Sequence, residues 1–271
     1  MNNFKEREYK VTLFKDRMKI QYNIKNVFKS AKVKNRILPT KKRDKENPYM
    51  TTQQYTKTLK KFKNKLYDLD IQANKSVYIT LTTSSISLWN DLKSRFQAFI
   101  LCLKRNFGKI YYIRAIESHD KDNHFHIHMI VMFENEIPTN LNKEWIEKHW
   151  KQGFVDYKNV SEPYGIIDYM TTFKNENINP NNDKYTKLPQ FVQVISHSVD
   201  FPKSEKKEII TTKNEMSEIV DSFKEYCFEE TGKQAYVYSD GHKYIDKDTG
   251  EIIYCLDRQY LHKPKTNKIS S

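Results

Sequence analysis

The alternation of apolar and polar residues is clearest in the middle of the chain, from residue 76 onwards. Ser76–Thr83 (SVYITLTT), Lys109–Ser118 (KIYYIRAIES) and Phe125–Phe133 (FHIHMIVMF) are rich in β-branched and aromatic residues, so each predicts a β-strand. Between the first two, apolar residues recur at helical spacing and are followed by Gly108, which predicts a long amphipathic helix. This part of the chain therefore begins with a strand, a helix and two further strands.

The pattern continues after the third strand. A short helix is predicted over residues 139–152, a strand over Phe154–Val160, and a second helix that opens with Pro163 in its first turn, where proline is tolerated. The order β-α-β-β-α-β, followed by a helix, is typical of a ferredoxin-like split βαβ fold. We therefore predict an α+β fold with one antiparallel sheet.

Two extensions flank this predicted domain, so the chain is divided into residues 1–72, 73–200 and 201–271. The N-terminal extension is basic and contains a predicted helix around residues 51–68. The C-terminal extension contains a predicted helix followed by a hairpin, which we expect to turn at Ser239-Asp240-Gly241. The fold prediction is thus a ferredoxin-like domain with a helical basic extension before it and a small α/β-hairpin extension after it.

Positive charge is concentrated in one segment. The chain carries 47 Lys and Arg against 34 Asp and Glu, a net charge of +13, and residues 25–65 hold fourteen of the basic residues with only two acids. Basic clusters bind nucleic acids by displacing counterions from phosphates. We therefore predict a nucleic-acid contact here, the alternative being a solvated tail. The candidate residues are Lys41, Lys42, Arg43, Lys60 and Lys61.

Missing motifs make other classes of protein improbable. Neither G-x-x-x-x-G-K-[ST] nor G-x-G-x-x-G occurs, and the chain has only 6 glycines, so we expect no nucleoside triphosphate binding. The N-terminus mixes both charges and has no apolar core typical of a signal peptide. No apolar run approaches the ~18 residues of a membrane span. We therefore expect a cytoplasmic protein that does not bind membranes.

Two histidines on the third strand provide candidate chemistry. His126 and His128 are two residues apart, so their side chains project from one face of the sheet. If the hairpin turns at Lys121 and Asp122, Glu117 lies directly opposite His126 and diagonally from His128. Two imidazoles and a carboxylate with open coordination positions suit Mn²⁺ or Mg²⁺, and would also accept Zn²⁺ or Co²⁺.

This metal-site hypothesis depends on the register of the hairpin. A slip by one residue would replace Glu117 with Ser118 or Ile116 and would remove the carboxylate. His119 and His124 are then the alternative ligands. A surface hairpin with several histidines and no metal is the competing interpretation.

The strand SVYITLTT, the HIH of the third strand and the tyrosine-bearing helix EPYGIIDYMTTFKNEN resemble, in order, the three motifs of the HUH endonuclease superfamily. The resemblance covers residues 76 to about 198 and is strongest to rolling-circle replication initiator (Rep) proteins. It implies that residues 73–200 nick single-stranded origin DNA: a bound Mn²⁺ or Mg²⁺ polarises the scissile phosphate, which a tyrosine attacks. The products are a 5′-phosphotyrosine and a 3′-OH primer, and strand rejoining follows. Such a protein depends on a host helicase and DNA polymerase.

The third-motif helix contains two candidate nucleophiles, Tyr164 and Tyr169. Tyr169 lies at the edge of the apolar stripe that should pack on the sheet, so its side chain can lean toward the metal. Tyr164 lies on the far side of the helix from this stripe, and we expect it at the surface. We therefore predict Tyr169 as the nucleophile. The stripe is formed by Ile166, Ile167, Met170 and Phe173.

The resemblance also implies DNA contacts. Thr82 belongs to the first motif, which in the family lies near the metal or the DNA. Family members carry a lysine three or four residues after the tyrosine, whereas here the nearest is Lys174, five residues after Tyr169 and about 140° away around the helix. Tyr111 and Tyr112 are further candidates, because aromatic side chains stack on unpaired bases.

Three other functions remain open. A conjugative relaxase uses the same chemistry with a tyrosine that precedes the histidines, for which Tyr9 and Tyr22 are candidates. A single-strand transposase shares the order of motifs but is usually shorter. A non-catalytic binding protein would use aromatic residues on the histidine face of the sheet as a stacking platform, with no metal dependence.

Overall fold

The computed structural model describes residues 8–22, 49–84, 89–118, 125–172, 185–190, 192–245 and 252–264. The chain forms two compact units, one made of residues 41–203 and the other of residues 1–40 together with 204–271. The helices are α1 (Thr52–Leu66), α2 (Trp89–Phe107), α3 (Lys143–Trp150), α4 (Pro163–Thr171) and α5 (Lys213–Thr231). The strands are β1 (Tyr9–Leu13), β2 (Arg17–Gln21), β3 (Tyr49–Thr51), β4 (Ser76–Thr82), β5 (Ile110–Ser118), β6 (Phe125–Phe133), β7 (Val155–Asn159), β8 (Tyr185–Pro189), β9 (Ile195–His197), β10 (Lys207–Thr211), β11 (Tyr236–Ile245) and β12 (Ile252–His262).

The sheet of the 41–203 unit has the order β7-β4-β6-β5-β9, and every pair of neighbours is antiparallel. Its first four strands with α2 and α3 form the split βαβ arrangement, so the predicted ferredoxin-like fold is confirmed. β9 lies within the stretch predicted as an additional strand and extends the sheet beyond β5. β3 and β8 pair separately as a two-stranded sheet.

One face of this sheet packs against α2, whose apolar stripe supplies five buried residues. The guanidinium of Arg114 lies 4.5 Å from the ring centre of Phe96 on α2. The helix ends at Gly108, which has φ +77°, a conformation that glycine adopts at little cost. α3 begins at Lys143 rather than at the predicted residue 139, because the Asn142 side chain accepts a hydrogen bond from the Trp145 N–H at 2.8 Å and caps the helix.

The face that carries the histidines lies beneath α1 and α4. α1 opens with a capping box in which Thr51 and Gln54 satisfy each other's backbone N–H groups. Farther along α1, the buried Lys63 forms an ion pair with Asp168 of α4. Lys63 belongs to the basic segment, but it is only 4% exposed and therefore joins two helices instead of facing solvent.

The second unit is built from both ends of the chain. Its sheet has the order β10-β1-β2-β12-β11, and α5 packs on one face of it. Residues predicted as separate extensions, 1–72 and 201–271, thus contribute to a common sheet, and the units divide after residues 40 and 203 instead of after 72 and 200. No helix within the described residues is long and apolar enough to cross a membrane.

The C-terminal hairpin differs from its prediction. β11 and β12 stay paired from Tyr236 opposite His262 to Ile245 opposite Ile252, so the chain does not turn at 239–241. The register shifts between Asp240 and Gly241, as in a β-bulge. Glycine inside a strand often marks a bulge, which explains why it resembled a turn signal in the sequence.

His262 of β12 makes this second unit sensitive to acid. Its ring lies 5.1 Å from Tyr236 and 5.2 Å from Tyr238, centre to centre. Burial, reinforced by the charge of Arg17, lowers the pKa of His262 from 6.5 to about 4, although Asp16 opposes this shift. The unfolded chain therefore takes up a proton between pH 6.5 and 4 that the folded chain does not bind.

We predict that the free energy of unfolding is full above pH 6.5 and falls by about 2 kcal/mol at pH 5 because of His262. Urea denaturation at pH 7.5 and pH 5 measures this loss, and His262→Phe is the comparison because it keeps a ring without the proton site. Carboxylates titrate in both proteins, so the difference between the two pH dependences is the test. Equal losses in the two proteins would contradict the assignment to His262.

Candidate functional site

The register of the central strands places the candidate residues in one row. Glu117 of β5 is directly opposite His126 of β6, as predicted, and the alternative with a one-residue slip is wrong. On the other side of β6, Thr82 of β4 is opposite His126. Glu117, His126 and Thr82 therefore occupy neighbouring positions on three adjacent strands, at one end of the sheet.

The possible metal ligands are brought together in part. The Nε2 atom of His128 lies 3.3 Å from Oε2 of Glu117. The ring of His126 is 6.4 Å from that of His128, centre to centre. Within the residues that the structure describes, no three His, Cys, Asp or Glu side chains are grouped as a metal site. The donors suit a hard cation, and a three-donor site needs the His126 side chain to turn on a backbone already opposite Glu117.

Tyr78 of β4 is a site residue that the sequence analysis missed. Its hydroxyl lies 2.7 Å from Nδ1 of His128, and the two rings stack. Burial raises the pKa of Tyr78, so its hydroxyl keeps its proton at neutral pH. If this hydroxyl accepts a hydrogen bond from Nδ1–H, the lone pair of Nε2 faces Glu117, where a cation could use it. Its diagonal position from His128 across the β4–β6 pair could have identified it.

Tyr169 of α4 lies beside this histidine. Its ring meets the ring of His128 edge-on at 5.8 Å and that of Tyr78 at 6.4 Å, centre to centre. The side chain is 49% exposed, so a substrate can reach it from solvent. The predicted position at the edge of the apolar stripe agrees with this arrangement.

Tyr164, the other tyrosine of α4, is not at the surface as predicted. It is 3% exposed, its hydroxyl donates to the backbone carbonyl of Leu69 at 2.9 Å, and its ring packs on Tyr67. The prediction was wrong because it considered only the sheet as a neighbour of α4. The chain after α1 covers the opposite side of the helix.

A lysine approaches Tyr169 from the sheet. On β7, Asp156 is opposite Thr80 and Lys158 is opposite Tyr78. Lys158 and Asp156 form an ion pair at 2.7 Å. This hydrogen bond raises the pKa of Lys158, and negative charge on Tyr169 adds to the effect. The sequence analysis looked for a lysine along α4 and missed this residue, which only the register of β7 reveals.

The predicted DNA contacts are distributed as follows. Lys60 and Lys61 are exposed on α1, and the Thr82 hydroxyl donates to the backbone carbonyl of Phe154 at 3.1 Å. Tyr111 is buried against Phe201 and Tyr112 packs edge-on against Phe96, so the prediction that they are exposed stacking residues is wrong for Tyr111 and weakened for Tyr112. The remaining candidates lie outside the described residues: Lys41, Lys42, Arg43 and Lys174, and the alternative ligands His119 and His124.

Comparisons with known proteins agree with this topology. Residues 76–175 match the family model of the Replication-associated protein ORF2 family. A search of curated proteins and a search of solved structures gave no match. The matched segment begins at the first residue of β4 and extends past α4, so it contains Glu117, both histidines and Tyr169. Through residues 76–175 the chain therefore belongs to the Replication-associated protein ORF2 family, a family of rolling-circle replication initiators.

Proposed function

We propose that this protein nicks and rejoins single-stranded origin DNA, with Tyr169 as the nucleophile. The observation that carries the proposal is the position of Tyr169: half-exposed, and in ring contact with a histidine whose Nε2 faces Glu117. A tyrosine used only for packing would have no reason to combine solvent access with this neighbour.

The chemical step is an exchange of one phosphodiester for another. The phenol oxygen of Tyr169 forms a bond to phosphorus while the bond from phosphorus to the 3′ oxygen breaks. The 3′ oxygen keeps the electron pair and takes up a proton, and the phenol proton is lost to solvent. The 5′-phosphotyrosine conserves the bond energy, so the reverse attack by a 3′-OH rejoins strands without ATP.

Glu117, His126 and His128 would hold Mn²⁺ or Mg²⁺, which when bound draws charge from the non-bridging oxygens of the scissile phosphate. A free phenol has a pKa of ~10 and is a weak nucleophile at neutral pH. The ammonium group of Lys158 favours the phenolate form of Tyr169 through their electrostatic interaction. Tyr78 keeps the His128 ring in place.

DNA binding would extend beyond the site along α1, where Lys60 and Lys61 are exposed. In this proposal Lys41, Lys42, Arg43 and Lys174 contribute phosphate contacts, and Thr82 lies at the end of the sheet that receives the strand. The nick leaves a 3′-OH that a polymerase must extend, so the reaction requires a host helicase and DNA polymerase as partners.

A non-catalytic stacking platform is the less favoured function. It requires accessible aromatic residues on the histidine face of the sheet. Tyr78 and Tyr111 lie on that face, and both are buried. A relaxase with a preceding tyrosine is also less favoured, because Tyr9 is buried in β1 and contributes to the core beneath α5.

A covalent-capture experiment tests the proposal. Labelled single-stranded oligonucleotides that tile the origin of the replicon are incubated with the protein and Mn²⁺, and the products are separated on a denaturing gel. We expect a covalent protein–DNA band that disappears with a chelator and in the variant His126→Ala, His128→Ala, which still binds DNA in a salt-sensitive manner. Tight binding without a covalent band on any oligonucleotide would contradict the proposal.

We further expect Tyr78→Phe to weaken Mn²⁺ binding by about 10- to 100-fold, the usual cost of losing a partner of a ligating histidine. Titration calorimetry without DNA measures the affinity, and the Mn²⁺ concentration needed for half-maximal capture should rise by a similar factor. Tyr111→Phe, which alters a buried tyrosine elsewhere on this face, is the control. Equal Mn²⁺ affinities of the wild type and Tyr78→Phe would contradict this role.

A further inference from the structure

Phe154, immediately before β7, is the most exposed large apolar side chain near the candidate site. It is 83% exposed, whereas phenylalanine is normally buried. A solvent-exposed aromatic ring has a cost in water that a binding partner can recover. The question is therefore what this ring contacts when the protein acts.

The backbone at Phe154 is firmly held although its side chain is exposed. Its carbonyl accepts hydrogen bonds from both the N–H and the hydroxyl of Thr82, at 2.9 and 3.1 Å. The nearby Gln152 carbonyl accepts from the N–H and hydroxyl of Ser84, at 2.7 and 3.0 Å. Four hydrogen bonds thus fix the loop onto the end of β4.

Gly153 permits this close approach. A Cβ atom at that position would lie 2.6 Å from the carbonyl oxygen of Thr82, closer than such atoms approach each other in proteins. The loop is thus seated against β4 as tightly as its backbone allows. An exposed ring on such a backbone is presented in one position, which lowers the entropy cost of binding.

Phe154 also lies in line with the candidate site. Thr80 is opposite Asp156, so two further residues along the β4–β7 register place Phe154 opposite Thr82, which is opposite His126 on its other side. Side chains alternate along an extended chain, so Phe154 shares the face of Asp156. Two strand spacings, about 10 Å, separate Phe154 from His126.

We propose that Phe154 is a base-stacking residue: its ring stacks on an unpaired base of the DNA strand, close to the scissile phosphate. This inference rests on the proposed function, because it assumes that the strand passes the His126–Tyr169 site. The chemistry that the ring recognises is the flat face of a nucleobase, which every base has, so the contact positions the strand with little dependence on sequence. Lys158, two residues beyond Asp156 and on the same face, can contact a phosphate of the same strand.

Binding is measured in the Tyr169→Phe background without metal, so that no cleavage interferes. The probe is the shortest labelled single-stranded oligonucleotide that this protein binds, and anisotropy gives its Kd. We expect Phe154→Ala to weaken binding roughly 5- to 150-fold, the range for losing one stacked base. Phe154→Trp should bind normally and Phe154→Leu should behave like alanine, because only a ring can stack.

A set of probes, each with one abasic position, then locates the base. At one position the abasic change should weaken binding to the protein with Phe154 but not to Phe154→Ala, and the salt dependence of Kd should be unchanged by Phe154→Ala because no phosphate contact is lost. Leu101→Ala, at an exposed apolar residue of α2, is the matched control and should bind normally.

Unchanged affinity of Phe154→Ala, or additive effects at every abasic position, would overturn the inference and would favour a protein partner for this ring. These binding results do not depend on covalent capture. Coupling at one position together with a failed capture experiment would therefore support the base contact while contradicting the nicking function.

Discussion

Tyr169→Phe should abolish covalent capture of origin DNA, lowering it by more than about 10³-fold, while leaving DNA affinity within about twofold of the wild type. The change removes only the oxygen that would form the bond to phosphorus, and without this nucleophile no phosphotyrosine can form. The ring contacts of Tyr169 with His128 and Tyr78 involve carbon atoms and remain available to phenylalanine. A denaturing gel for capture and anisotropy for binding measure the two quantities separately.

Tyr164→Phe is the matched control, because it makes the same change on the same helix. Its buried hydroxyl donates to the Leu69 carbonyl, so we expect a loss of about 1 kcal/mol in the free energy of unfolding and a capture yield close to that of the wild type. A covalent band that survives in Tyr169→Phe but disappears in Tyr164→Phe would make Tyr164 the nucleophile instead. A band that survives in both variants would move the nucleophile outside α4.

Lys63→Met should lower the free energy of unfolding by about 3 kcal/mol, because it leaves Asp168 without its buried ionic partner. Asp168 precedes Tyr169 in α4, so we also expect a reduced capture rate from a helix that is less firmly attached to α1. Urea denaturation measures the stability, and single-turnover capture at saturating DNA measures the rate.

Two further variants separate the ion pair from general charge. Lys61→Met removes an exposed lysine two residues away and should change stability by less than about 0.5 kcal/mol. Lys63→Met combined with Asp168→Leu removes both charges and should recover most of the lost stability, because a buried pair can often be replaced by apolar residues. If the double variant is as unstable as Lys63→Met alone, packing by the lysine stem is the larger effect.

The central domain could be predicted from the sequence because its signals are local. β4, β5 and β6 lie within one residue of the predicted strands, and the position of Glu117 opposite His126 follows from where a short hairpin turns. The position of Tyr169 at the edge of the apolar stripe also follows from helical periodicity alone. Each of these inferences needed only the stretch of chain close to the element concerned.

The inferences that failed needed a neighbour that is distant in sequence. Tyr164 is buried by Leu69 and Tyr67, which lie far earlier in the chain, and Lys63 is buried by its pairing with Asp168. Lys158 is identified only by the pairing of β7 with β4. A periodic pattern indicates which side of an element is apolar, but it does not indicate how many partners cover that element.

The mixed origin of the second sheet has a consequence for protein synthesis. β2 pairs with β12, Met18 lying opposite Leu261, so the first strands to leave the ribosome wait for nearly the last ones. At ~5–20 residues per second this delay is roughly 10 to 50 s. The family domain between them, with its contacts complete by residue 203, can fold during that interval. We therefore expect nascent chains to acquire a protease-resistant 41–203 core while β1 and β2 still depend on chaperones to stay soluble.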